Sequence, residues 1–243
     1  PPDPRPALDA ARGTADRSVS AAAAAADARA EELESAPPPP DRVCTFSMYN
    51  WSIDERRGVN HRRETTTAGE LADDERDPND PRCTVCEQEQ VEIDPAEYGF
   101  DQAEPFRACR YYEDEIRDAL QAIAETGDFD LLEVTGYRPG RTRGRVEDCM
   151  RMEMSNHAYG TAIDINASYN GLYGRCYGDS VSEERIDDCA LRVGGHWAPS
   201  SRPRLSIVPE SSVYRAFTDI VGWRWGGEIA GGTKDMMHFS LDG

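Results

Sequence analysis

The chain has 243 residues, with 46 acidic against 27 basic side chains and a formal net charge of −19. That balance excludes the basic footprint of a nucleic-acid-binding surface, so no nucleic-acid partner is expected. No run of 18 or more apolar residues occurs, which excludes a membrane-spanning helix.

The chain opens on Pro1 rather than Met and shows no signal peptide, as a mature or trimmed product would. Residues 1–41 are of low complexity, with an alanine run at 21–26 and a proline run at 37–40. Alanine favours helix but offers no apolar stripe to bury, and consecutive prolines favour an extended spacer. This part is expected to be a disordered tether between an envelope anchor, lipid or N-terminal, and a working domain.

Residues 42–109 are rich in Asp, Glu, Arg and Cys, with few periodic apolar positions. They predict an irregular, cysteine-stapled extension packed on the core and forming one wall of a groove. Within it, alternation over residues 45–51 predicts a strand, and residues 73–81 read as an exposed, turn-rich loop. The chain's seven cysteines are Cys44, Cys83, Cys86, Cys109, Cys149, Cys176 and Cys189. Disulfides are the default for a non-cytosolic protein, and they place this one in the periplasm, in the cell envelope or outside the cell. The odd count leaves one thiol free or paired with another molecule. Cys176 and Cys189 predict a local bridge. The rival to disulfides is a structural zinc on Cys83-x-x-Cys86 with Cys44 and Cys109.

Residues 110–243 carry the clearest periodicity. A helix is predicted over 111–125, with Tyr112, Ile116, Leu120 and Ile123 on one stripe, Glu113, Asp114 and Glu115 in its first turn, and Gly127 ending it. Short strands are predicted at 131–134, 161–165, 223–225 and 238–241. A second helix is predicted over 211–221, with a stripe of Val213, Phe217 and Ile220. Helices and strands mix without a βαβ rhythm, so the fold class is α+β.

The chemistry-bearing residues lie in 155–164 and 235–239. His157, Asp164 and His238 form the two-imidazole, one-carboxylate set of an open catalytic zinc site, which leaves a fourth position for water. Asp235 stands where a general base for that water belongs. His157 and Asp164 are seven residues apart, too far for one straight helix or strand to bring them to one ion. A bend is required, and Gly160 supplies it. Arg138, in the Gly136-Tyr137-Arg138-Pro139 turn, is suited to hold a substrate carboxylate or a developing oxyanion. Other polar and aromatic residues have plainer readings. His61 belongs to the surface, Trp223 and Trp225 read as core aromatics, and Ser155 as a cap or turn residue. His196 stays open between a site role and none.

Gly136-Tyr137-Arg138, Ser155-x-His157-x-x-Gly160-x-Ala162-x-Asp164, Trp225-Gly226-Gly227 and Asp235-x-x-His238-Phe239 occur in an order that resembles the D-alanyl-D-alanine carboxypeptidase group of peptidoglycan peptidases. That group includes L-alanyl-D-glutamate endolysins and shares a core with the hedgehog signalling domain. The resemblance covers about residues 110–243. It implies a small antiparallel sheet flanked by helices, Zn2+ as cofactor on His157, Asp164 and His238, and Asp235 as acid/base. It puts Arg138, Tyr137, Ser155 and Trp225 on the substrate side, and it implies a peptidoglycan stem-peptide substrate for a monomeric enzyme. Two departures stand out: no Gln follows the Gly-Tyr-Arg turn, and residues 170–203 look like added loop. The competing class is a non-catalytic zinc-containing module, binding cell wall or protein, on the same scaffold.

Overall fold

Strand Val43–Ser52 (β1) buries Cys44, Phe46, Met48, Asn50 and Ser52 along one face, the period of two that a half-covered strand requires. It pairs antiparallel with Arg57–Thr67 (β2). The computed structural model describes residues 37–177 and 182–242, so most of the expected tether lies outside the described residues. From Pro38 onward the chain forms one compact unit.

After this hairpin come strands Gln90–Ile93 (β3) and Phe106–Cys109 (β4), helix Glu113–Thr126 (α1), and strands Val134–Thr135 (β5), Arg141–Glu147 (β6), Met150–Met154 (β7), Ala162–Ile165 (β8), Leu172–Gly174 (β9) and Ala190–Val193 (β10). Short helical segments Ser212–Arg215 and Ala216–Ile220 lead into strands Arg224–Trp225 (β11), Thr233–Asp235 (β12) and His238–Ser240 (β13). The described strands form four small sheets, in the orders β2-β1-β6-β7, β10-β9-β12, β11-β13-β8-β5 and β3-β4. The architecture is α+β with several small sheets and few helices, as the mixed pattern predicts.

Helix α1 forms where its stripe predicts, and Ile116, Ala119, Leu120 and Ile123 are all buried. Gly127 ends it in the left-handed region, donating its N–H to Ile123 O. The stripe meets Ile163, Ile165, Val213, Phe217, Trp223 and Phe239 in the main core. Each large apolar side chain buried there contributes about 1.5–3 kcal/mol.

The second predicted helix departs from its stripe. Ser211 caps the first turn, accepting from Tyr214 N, and the next turn widens so that Val221 N–H donates to Ala216 O. Opening the turn from a four- to a five-residue step shifts the buried stripe. Ala216, Phe217 and Val221 are therefore buried, while Ile220 is turned outward.

The extension is more regular than its composition suggests. Strand β2 lies at a sheet edge with no buried residue, so it carries no apolar alternation to read. Hairpin β6–β7 is similarly exposed along β6. The loop at 73–81 is not wholly exposed, because Asp77 and Asp80 are buried. Asp77 accepts the N–H groups of Asn79 and Asp80, and its carboxylate also takes the Thr161 hydroxyl, just before β8.

The structural-zinc alternative for the four N-terminal cysteines is overturned: they pair as Cys44–Cys86 and Cys83–Cys109. Cys176–Cys189 forms as predicted, and Cys149 is free and exposed. Cys44–Cys86 closes a separation of 42 residues. Removing a cross-link of this kind costs about 2–4 kcal/mol. Replacing both cysteines by serine is expected to lower the melting temperature by roughly 5–15 °C in a calorimetric scan.

Candidate metal centre

Sheet register brings two of the motif residues together. His238 in β13 stands directly across from Asp164 in β8, so both side chains project on the same face of the sheet. The ring nitrogen Nδ1 of His238 lies 3.0 Å from Asp164 Oδ1. On the other flank of β8, Thr135 of β5 pairs with Asp164, and the chain then runs through Gly136 and Tyr137 to Arg138.

His157 arrives from the short helical turn Asn156–Ala158, ahead of β8. The chain reverses at Gly160, whose φ of +74° lies in the left-handed region. Here Cβ has no room, since it would sit 2.5 Å from the Cys109 N–H nitrogen. Gly160 O accepts that same N–H at 2.9 Å, which binds the turn to the Cys83–Cys109 bridge. Gly160→Ala is therefore expected to cost more than about 1 kcal/mol of stability in denaturant titration. Metal affinity should weaken with it, since the turn carries His157. On the far side, Asn156 donates to Asp242 at 2.7 Å, tying the turn to the chain's C-terminal end.

His157 Nε2 lies 3.1 Å from Asp164 Oδ1, and the His157 and His238 ring centroids are 5.1 Å apart. One ligand atom from each of His157, Asp164 and His238 falls within 4.8 Å of the others. His157 Nδ1 donates to Gly136 O at 2.9 Å, which fixes the tautomer and leaves the Nε2 lone pair facing Asp164. Nε2 is buried without a hydrogen-bond partner. An orphaned imidazole lone pair aimed at a carboxylate oxygen is costly alone and matched by a cation between them. The donor set and its orphaned atom fit zinc.

Electrostatics act differently on the three: burial works against protonated His238, but the hydrogen bond and charge of Asp164, with Asp235, outweigh it and raise its pKa. Burial favours neutral His157, the form that ligates. Burial works against ionised Asp164, but the two imidazoles overcome it and hold the carboxyl well below its usual range. Arg138 Nη2 donates to Asp164 Oδ2 at 2.8 Å, leaving Oδ1 turned to the histidines.

Asp235 comes from a different sheet. β12 ends at Asp235, paired with Leu172 of β9, and the turn through Met236 and Met237 crosses to β13. Trp225 Nε1 donates to Met236 O, and Met237 O accepts from Ile165 N, fixing this crossing. Asp235 Oδ1 is enclosed with no hydrogen-bond partner. Burial raises its pKa to about 6, with Asp164 adding to the rise and His238 and Arg138 opposing it.

The remaining candidates are placed as follows. Trp225 is buried and braces the Asp235–His238 turn. Tyr137 donates its hydroxyl to Val85 O at 2.6 Å, against the cysteine-stapled layer. Ser155 precedes the His157 turn, but its hydroxyl makes no cap bond and is buried without a partner. His61 is exposed and stacks on Tyr49. His196 pairs with Asp187 at 3.2 Å and meets the Tyr173 hydroxyl, apart from the His157–Asp164–His238 cluster.

Residues 150–241 match the D-alanyl-D-alanine carboxypeptidase family model. The matched segment begins in β7, ends just after β13, and contains His157, Asp164, Asp235 and His238. It agrees with the resemblance read from the motifs. Arg138 and the whole extension lie outside it. No curated protein and no solved structure matches the chain.

Proposed function

We propose that the chain is a zinc-dependent peptidase that hydrolyses amide bonds in peptidoglycan stem peptides, as a D,D-carboxypeptidase or a stem-peptide endopeptidase. The observation that carries this reading is the convergence of His157 Nε2, Asp164 Oδ1 and His238 Nδ1, with the Asp235 carboxylate enclosed beside them and its Oδ1 without a hydrogen-bond partner. The family match supports the peptidase class.

His157, Asp164 and His238 would hold zinc, which would supply Lewis-acid polarisation of water and of the scissile carbonyl. Asp235 Oδ1 takes the proton of the attacking water and returns it to the departing amine. A carboxyl raised to about 6 is suited to both halves of that transfer near neutral pH. Arg138, anchored through Asp164, holds a fixed positive charge beside the reacting carbonyl and favours negative charge developing on its oxygen. His157 is held in its ligating tautomer by Gly136 O, outside the reacting atoms.

The same reading takes residues 110–243 as the catalytic domain of hedgehog type, 42–109 as its cysteine-rich extension and 1–41 as a tether. It places a monomer in the periplasm, in the cell envelope or outside the cell. The three disulfides fit an extracytoplasmic setting. The test is a digest of stem pentapeptides and isolated sacculi by zinc-loaded protein, with products separated by chromatography. Release of terminal D-Ala identifies exo action and internal fragments identify endo action. No cleavage by the wild type ends the proposal.

A further inference from the structure

The extension carries a buried carboxylate that the proposed mechanism does not use. Asp77 is fully enclosed, and among the described residues no cationic side chain pairs with it. Its Oδ1 accepts the N–H groups of Asn79 at 2.7 Å and Asp80 at 3.4 Å, and its own N–H donates to Cys83 O at 2.9 Å. These bonds fix the carboxylate beside the Cys83–Cys109 bridge. They leave Oδ2 to accept from the Thr161 hydroxyl. A charged carboxylate is costly to bury, and a neutral Asn or Ser would suffice to cap a turn. What the charge adds is a stronger bond to the hydroxyl it faces.

Thr161 is the exit of the turn that carries His157, and it too is fully enclosed. Its N–H donates to Asn156 O at 3.2 Å, and its hydroxyl oxygen lies 3.2 Å from the same carbonyl. Tyr159 N–H also donates to Asn156 O, at 3.0 Å. Residues 156–161 thus form a loop closed on one carbonyl oxygen, with His157 inside it. The extension grips this loop a second time, where the Tyr159 hydroxyl donates to Asp74 O at 2.9 Å. With its exit fixed to Asp77, the loop has little freedom to turn the imidazole away from Asp164.

We propose that Asp77 is a positioning residue for His157: through the Thr161 hydroxyl it holds the 156–161 loop in the geometry that aims Nε2 at Asp164, so the cysteine-stapled extension completes the metal centre. The consequence for metal affinity rests on the zinc reading above. A ligand ring already held in place loses little freedom when the ion binds. Groups that orient a metal ligand from behind are worth 10–100-fold in affinity, and Asp77 acts one bond further out, so a loss of about tenfold is expected without it.

The test uses the full chain as wild type, Asp77→Ala, Thr161→Val and Thr161→Ser. Zinc affinity is measured by competition with a chelator of known affinity, at a temperature where each variant is folded. Thr161→Val keeps the branched shape and loses the hydroxyl, whereas Thr161→Ser keeps the hydroxyl. Asp77→Ala and Thr161→Val are each expected to weaken zinc binding about tenfold, the double variant no more than either alone, and Thr161→Ser by no more than about twofold. A role confined to stability lowers the melting temperature and leaves the affinity of the folded protein unchanged. That result overturns the proposal, as do additive losses in the double variant. Should Asp77→Ala fail to fold, Thr161→Val against Thr161→Ser decides, and equal affinities of these two overturn the proposal.

The second measurement needs no metal. It is solvent exchange of the His157 Nδ1–H, which donates to Gly136 O, by nitrogen-15 NMR of metal-free protein, with the Trp225 Nε1–H bonded to Met236 O as internal reference. Exchange at His157 is expected to rise at least several-fold in Asp77→Ala and Thr161→Val, with Trp225 unchanged. Unchanged His157 exchange in the folded variants overturns the proposal. A wild type that binds no zinc defeats the metal reading, while the exchange rates still decide whether Asp77 holds His157.

Discussion

His238→Ala is expected to reduce bound zinc from about one per chain to well under half, and to lower kcat/KM by a factor on the order of 10³ or more. Losing a residue that merely orients a ligand costs 10–100-fold in metal affinity, so losing a ligand itself must exceed that. The loss should be local. His238 opens β13, and its backbone pairing with Asp164 does not depend on the imidazole. The core partner Phe239 and the Trp225–Met236 bond remain in place. Elemental analysis of the dialysed variant, beside a far-ultraviolet dichroism spectrum, separates metal loss from unfolding. Full zinc content with undiminished cleavage would sink the assignment of His238, and with it the site.

What the sequence reveals follows from what each residue must bury. Helix α1 is legible because a solvent-facing helix needs one apolar stripe, and Ile116, Leu120 and Ile123 supply it. β1 and β8 are legible from apolar residues on alternating positions. β2 and β6 are not, because edge and exposed strands bury little and carry Arg, Thr and Glu instead. The short β9 and β12 are also silent, although β12 delivers Asp235.

The three ligand candidates could be named from residue type and spacing, but not the device that joins them. That device is the register of β8 against β13, together with the Gly160 reversal. The disulfides show a similar limit. Cys176 and Cys189 lie 13 residues apart and are readable as a loop staple, whereas Cys83-x-x-Cys86 with the more distant Cys44 and Cys109 allows metal and disulfide readings alike. Only their positions in the fold decide between these.

Asp235→Asn is expected to lower kcat by about 10²–10⁴ while leaving the zinc content at the wild-type level, because Asp235 is not in the ligand cluster. The acidic limb of the wild-type rate profile tests the same residue. A general base works when ionised, so kcat/KM should rise with pH through the Asp235 pKa. Burial sets that near 6, and a cation at the His157–Asp164–His238 cluster draws it lower, so the limb's midpoint should lie at or below about 6. The limb should vanish in the variant.

Stability gives a second, activity-independent readout in metal-free protein. The folded-state pKa is raised above its unfolded value near 3.8, so the folded chain binds the extra proton between those values. The Asp235 contribution to wild-type stability therefore falls as pH rises from about 4 to about 6, and the penalty of its buried charge is fully present above that. Asp235→Asn removes the charge, so its melting temperature should exceed that of the wild type at pH 7–8, with the gap closing toward pH 4. A non-catalytic zinc module would gain nothing from a carboxylate that destabilises its own fold at neutral pH. Loss of turnover together with a gain in stability is the combination expected if Asp235 is kept for chemistry. A variant that melts lower than the wild type at pH 8, or turns over unimpaired, would assign this carboxylate to the scaffold instead.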